Sequence, residues 1–318
     1  MRRLALTSIA LALAVMPGFG CSSSSTTPTP TPAPQAVYVS SFNTPGKIGK
    51  AALPATAAST VTYLTPTALN GSVQLRFDAS GNLWSMNDTN TTGQVTGYAP
   101  PITNASTPFA TITIAGSQFP VGLAFDKSGN MWVADSGTSK VYEFTPPFSG
   151  AISPAPAITI SSVINPAGLV FDTAGNLYVC AGGGVQAGTV QIFNPPFHSG
   201  QSPTATPITG LHIPTSLAFD AAGNLYVTNF MGSVARFNAP TAGGGAVSIT
   251  DTSTGINSPQ DLAFDNLGNL YVTDLAHATV SVFPLATTAF SATLAPSVVL
   301  TLSGFATPNA GGIAIGAP

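Results

Sequence analysis

Charge is what this chain has least of. Of its 318 residues, 6% are charged, against roughly a quarter in an ordinary soluble domain. Glu143 is the sole glutamate, and there are four lysines. Two of the eight basic residues, Arg2 and Arg3, stand at the extreme N-terminus, and without them the formal charge moves from −3 to −5. A mildly acidic body with no basic stripe excludes a nucleic-acid partner of the usual electrostatic kind. No polybasic run or amphipathic helix is present to hold a membrane surface. No segment sustains an apolar period of 3.6, which excludes helical solenoids. Cysteine is scarce too, with only Cys21 and Cys180.

Turn formers and β-branched residues are abundant instead, with 32 Gly and 28 Pro. Low charge in that company points to an all-β protein. The N-terminus has a separate logic. "MRRLALTSIALALAVMPGFGC" carries two Arg, an apolar run from Leu4 to Val15, and small residues before Cys21. That pattern is a secretory signal peptide over residues 1–20, too short to span a bilayer. Gly18-Phe19-Gly20 before Cys21 looks like a lipoprotein processing site, although Gly18 stands where Leu is usual. Residues 21–35, "CSSSSTTPTPTPAPQ", form a Ser/Thr/Pro tether. The expectation is a lipid on Cys21, with ordinary cleavage and secretion as the alternative. Ser22 suits sorting to an outer membrane. With Cys21 lipidated, Cys180 has no disulfide partner, and its setting in "LYVCA" reads as a buried, inert thiol.

Residues 36–318 are repetitive. "LRFDASGNLWSMN", "LAFDKSGNMWVAD", "LVFDTAGNLYVCA", "LAFDAAGNLYVTN" and "LAFDNLGNLYVTD" recur with anchors Asp78, Asp126, Asp172, Asp220 and Asp265, spaced 48, 46, 48 and 45 residues apart. Each unit continues to a second run ending in an aromatic, as in "VYEF", and then to a further β-like run, as in "ATITI". Four short strands in roughly 45 residues is the arithmetic of a propeller blade. "AVYVSS" at 36 matches the second strand with the first one missing, and "GGIAIG" at 311 supplies a first strand with nothing after it. The C-terminal strand is therefore expected to complete the N-terminal blade and close the ring. The series Tyr38, Trp84, Trp132, Tyr178, Tyr226, Tyr271 counts six blades. In D-x-x-G-N, Asp bonds the backbone two residues on and Gly takes the positive φ of a tight hairpin, so the motif reads as a turn, not a calcium loop. The aromatic series reads as core between blades.

With its "GLAFDxxGNLYVxD…V…F" units, the chain resembles the NHL-repeat family of six-bladed β-propellers. The resemblance implies a top face where the second strand ends, at Ser41, Asn87, Asp135, Ala181, Asn229 and Asp274. Asn87, Asp135, Asn229 and Asp274 are the candidate binding residues, and His212 and His277 share that face. Two readings stay open. Asp135, Asn229 and Asp274 hold one Ca²⁺ or line a polar pocket, or these side chains bond their own strand-ending loops. Glu143, in the third strand, falls away from the channel, and His198 falls on the opposite face. The favoured function is a binding module at the cell envelope, taking a protein, peptide or glycan on its top face, with membrane attachment only through the lipid. The alternative is a Ca²⁺-dependent hydrolase or lyase of the lactonase-like kind, with His277 or His212 carrying the proton. No cofactor other than Ca²⁺ suggests itself.

Overall fold

The computed structural model describes residues 35–42, 45–87, 93–182, 188–204, 207–238, 256–285, 294–305 and 309–318. The segments expected to be leader and tether, residues 1–35 with Cys21, lie outside these apart from Gln35.

Six sheets form a six-bladed β-propeller. Blade 1 runs β24 (Ala310–Gly316), β1 (Ala36–Ser41), β2 (Ile48–Ala52), β3 (Thr62–Leu64). Blade 2 comprises β4 (Ser72–Phe77), β5 (Leu83–Asn87), β6 (Gly93–Tyr98) and β7 (Ala110–Ile114). Blade 3 comprises β8 (Pro120–Phe125), β9 (Met131–Asp135), β10 (Lys140–Phe144) and β12 (Ile158–Ile160). Between the last two, β11 (Gly150–Ile152) leaves its own blade and pairs in parallel with β7, giving blade 2 a fifth strand. Blade 4 comprises β13 (Leu169–Phe171), β14 (Leu177–Ala181), β15 (Gly188–Phe193) and β16 (Ile208–Leu211). The described part of blade 5 is β17 (Pro214–Phe219), β18 (Leu225–Asn229) and β19 (Ser233–Phe237). Blade 6 comprises β20 (Pro259–Phe264), β21 (Leu270–Asp274), β22 (Thr279–Phe283) and β23 (Val298–Thr301).

The ring closes as the sequence predicts. The C-terminal β24 pairs antiparallel with β1, Val37 opposite Ile315 and Val39 opposite Ile313. Neither chain end therefore leaves the innermost strand of blade 1 unpaired. Every second strand is buried at all of its positions. Both faces of a middle strand meet a neighbouring blade, so "LYV" is apolar at three successive positions rather than at alternate ones.

The D-x-x-G-N hairpins follow one plan. Asp126 Oδ1 accepts the Ser128 and Asn130 N–H groups at 2.8 and 2.9 Å, while Oδ2 accepts Asn130 Nδ2 and Trp132 Nε1 at 2.9 and 3.2 Å. Gly129 takes φ +81°, open to a glycine and strained for other residues. The same carboxylate receives Tyr178 at Asp172 and Tyr271 at Asp265. One Asp thus sets the turn and satisfies the polar tip of the buried aromatic. Blade 1 has no such Asp, and there the Tyr38 hydroxyl donates to the Ala317 carbonyl at 2.8 Å.

Candidate functional site

Ser41, Asn87, Asp135, Ala181, Asn229 and Asp274 are the last residues of β1, β5, β9, β14, β18 and β21. All sit on the face where chain segments enter the innermost strands. The polar ones bond within their own blades, to loops or, for Asn87, chiefly to neighbouring strand residues. Asp135 accepts the N–H groups of Gln118, Phe119, Gly137 and Thr138 at 2.9 to 3.3 Å. Asp274 accepts those of Asn257, Ser258 and Ala276 at 2.8 to 3.2 Å. Asn229 accepts the His212 N–H at 3.1 Å and donates to Ser233 Oγ at 3.0 Å. Asn87 donates to Thr96 Oγ1 at 3.0 Å and accepts from Ser85 Oγ at 2.8 Å. No hydrogen bond joins any two of these four among the described residues. The same residues contain no group of three or more His, Cys, Asp and Glu able to hold a metal. A Ca²⁺ ion at Asp135, Asn229 and Asp274 would compete for oxygens already facing N–H donors.

His277 lies on this face with its side chain half exposed and Nδ1 2.8 Å from Asp274 Oδ2. The His212 ring is exposed on the segment between blades 4 and 5. Different blades therefore hold the two imidazoles.

The structure also assembles a group that motif reading passed over. In the centre of the ring, Arg76 of β4 forms a two-point ion pair with Asp261 of β20, at 2.8 and 3.1 Å. Arg76 also donates to the carbonyls of Leu75 and Ile313, at 2.7 and 3.1 Å. Asp261 accepts Ser216 Oγ at 2.5 Å, the Leu262 N–H at 2.9 Å and the Ile313 N–H at 2.9 Å. Gln74 Oε1 accepts the Leu123 N–H. This cluster joins the innermost strands of blades 1, 2, 5 and 6 and reaches blade 3 through Gln74. Charge-assisted, bidentate pairing is the strong form of the interaction, and every oxygen of Asp261 is satisfied.

The signal for these residues is their departure from the repeat. The position before the strand-one Leu is Gly122, Gly168 and Gly312 in three blades but Gln74, Ser216 and Asp261 in the others. The position after it is small or aliphatic everywhere except Arg76. A Cβ at Gly168 would lie 2.6 Å from Ser216 Cα, and one at Gly122 would overlap the Ala167 carbonyl oxygen. Glycine there lets inner strands approach closely, and the three side chains in the other slots fill the axis.

Above the cluster opens a cavity of about 370 Å³. Phe42, Val73, Phe119, Val121, Ile213 and Pro214 give it apolar walls, while Gln74 and Asp261 lie at its base. Gln74 is 3% exposed and its amide nitrogen has no acceptor among the described residues. Phe119 is half exposed, and Ile164 and Met231 project from neighbouring loops of the same face.

Other reactive groups are quiet. Burial and the negative charge of Asp261 raise the Cys180 thiol well above its ordinary range, so it is not a poised nucleophile. Burial pushes Tyr38, Tyr178 and Tyr226 up to about 12. These phenols stay neutral at physiological pH and serve as packing and donors.

Fold and site together define a six-bladed β-propeller with a plugged axis and an apolar cavity at one mouth. No family model matches the chain, and no curated protein matches it. Solved structures do share its fold. A propeller from a nidogen/laminin complex superposes with a TM-score of 0.62 at 15% identity, over 89% of this chain and 98% of that one. A putative 6-phosphogluconolactonase from Bacteroides uniformis gives 0.57 at 16% identity, over 85% and 83%. The periplasmic gluconolactonase of Pseudomonas aeruginosa gives 0.57 at 15% identity, over 86% and 85%. At such identities the likeness is one of fold alone.

Proposed function

We propose that this chain is an exported, NHL-type propeller that works as a binding module, taking a protein, peptide or glycan at its top face. The observation carrying this reading is the mouth cavity. Its walls are apolar, its floor is closed by a satisfied ion pair, and the Gln74 amide at its base donates to no acceptor among the described residues. Concave apolar sites with a few convergent polar groups are where ligands bind. Exposed Phe119, Ile164 and Met231 extend that surface outward, as recognition patches do. The nidogen/laminin complex shows the same fold in a protein–protein assembly, which supports the reading by analogy.

Lipid on Cys21 would attach the propeller to an outer membrane or cell surface. Without lipid it would be periplasmic or secreted. The discriminating measurement is metabolic labelling with a fatty acid, where Cys21→Ala should lose both label and membrane association.

Binding is tested on peptide and glycan arrays with the wild type, Phe119→Asp and Gln74→Leu. A specific signal reduced about tenfold or more by either substitution supports the mouth as the site. Equal signals from all three proteins would remove it. The Asp274–His277 contact favours a second reading, a Ca²⁺-dependent hydrolase or lyase of the lactonase-like kind, since a carboxylate orienting an imidazole is a general-base arrangement. Lactone hydrolysis that is lost in His277→Ala and on chelation would establish this reading in place of the first.

A further inference from the structure

Glu143 stands in β10 directly opposite Trp132 of β9. Paired residues of antiparallel strands project from the same face, so the carboxylate shares a face with the indole. Glu143 is 7% exposed. Its backbone carbonyl accepts the Ala157 N–H at 2.8 Å, but no donor reaches its carboxylate among the described residues. Its oxygens are not among the buried unpaired atoms of the described residues, so the carboxylate reaches solvent through the cavity it lines. Burial first, and the nearby Asp126 second, raise its pKa.

The carboxylate lines a cavity of about 350 Å³ between blades 3 and 4, together with Asp126, Lys127, Phe171, Pro196 and Phe197. This cavity is on the hairpin face, opposite the channel mouth. Phe197 and Phe171 meet Trp132 edge to face, with centroids 4.9 and 5.7 Å away. The two neighbouring charges are otherwise engaged. Asp126 accepts four hydrogen bonds from its own turn, and the Lys127 ammonium donates to the Thr173 carbonyl.

The repeat supplies its own reference. The residue across from the strand-two aromatic is Lys50 in blade 1 and Arg236 in blade 5. Lys50 Nζ lies 5.3 Å from the Tyr38 ring centroid, and the Arg236 guanidinium lies 5.8 Å from that of Tyr226. Two blades thus carry a built-in cation over this aromatic. Blade 3 carries an unpartnered anion instead, beside an aromatic-walled cavity.

We propose that this groove binds an organic ammonium cation, held between the Glu143 carboxylate and the rings of Phe171 and Phe197. Attraction to ring faces adds to the ion pair, and both strengthen as water is excluded. A hard metal ion such as Ca²⁺ prefers six to eight oxygens, which proline and phenylalanine walls do not provide. The proposal is independent of any activity at the channel mouth.

The test uses full-length protein and calorimetric titration with three probes. Choline represents a free or lipid-borne ammonium, Nα-acetyl-lysine amide represents a protein side chain, and 3,3-dimethyl-1-butanol is choline's neutral isostere. Saturable binding of choline or the lysine derivative, with the isostere about tenfold weaker, is the expected result. The better of the two cations identifies the source. Glu143→Gln should remove binding about tenfold or more without lowering the Tm, because no folded contact depends on the carboxylate. Phe197→Leu should weaken binding about threefold. Equal affinity for the isostere, unchanged binding by Glu143→Gln, or a response to Ca²⁺ alone would overturn the assignment.

Discussion

The hairpin turns and the innermost strands descend from one repeat, and they have fared in opposite ways. Asp78, Asp126, Asp172, Asp220 and Asp265 each accept the N–H of the Asn four residues on, at 2.8 to 2.9 Å. Nothing distinguishes these five blades from one another there, and blade 1 alone lacks the turn Asp. Along the axis the equivalent slot is Gly in three blades and Gln74, Ser216 or Asp261 in the rest. A turn makes the same demand in every blade, because its bonds are local. The axis is a single shared space, and six identical large side chains cannot occupy it together. Uniform positions therefore report architecture, whereas positions that break the pattern report what is particular to this chain. Glu143 belongs to the second kind.

The comparison is broken most severely at the axis. Asp261→Ala leaves the Arg76 guanidinium without its carboxylate and strips partners from Ser216 and from two N–H groups. Loss of one member of a buried pair costs about 3–5 kcal/mol, since an uncompensated charge remains. Equilibrium denaturation in urea should show a drop of that size. A loss under about 1 kcal/mol would mean that the blades are held by packing alone and that the ion pair is incidental.

A smaller effect is expected at a slot that kept its glycine. Gly122→Ala places a methyl against the Ala167 carbonyl and the Ala134 side chain. Overpacking of this kind costs about 1–3 kcal/mol as the inner strands of blades 3 and 4 are pushed apart. The same denaturation series measures it. An unchanged midpoint would show that glycine there is inherited from the repeat and not required by close approach.

The ring, its closure and the turn chemistry were legible in the sequence because they repeat. Copies of "FDxxGNLYV" let each local reading check the others, and the partial units at 36 and 311 announced how β24 would join β1. The fifth strand of blade 2 was not legible. "GAI" at 150 has no counterpart in the other units, and its parallel pairing with β7 depends on a neighbouring blade. The polar residues at the ends of the second strands were legible as a set, although not their bonding, because loop geometry decides whether Asp135 faces its neighbours or the channel. Arg76 and Asp261 are 185 residues apart. Only superposing the repeats column by column would have marked them as a pair, since each is a single departure within its own copy of the repeat.

The smallest effect sharpens the other side of the comparison. Asp172→Ala removes the oxygens that accept the Asn176 N–H and side chain at 2.8 Å and the Tyr178 hydroxyl at 3.4 Å. These bonds lie near the surface, and water can replace part of them. A loss of about 1–2 kcal/mol is expected, well below that at Asp261. The substitution also changes a titration. Burial is the main reason that the Tyr178 phenol stands at about 12, and the charge and hydrogen bond of Asp172 add to it. Without that carboxylate the phenol should ionise at lower pH while remaining above its ordinary value of 10, which absorbance at alkaline pH can follow. A turn that can be removed this cheaply, in a ring with four other copies, is retained for its geometry. An axis that cannot spare Asp261 is where this propeller differs from a generic one.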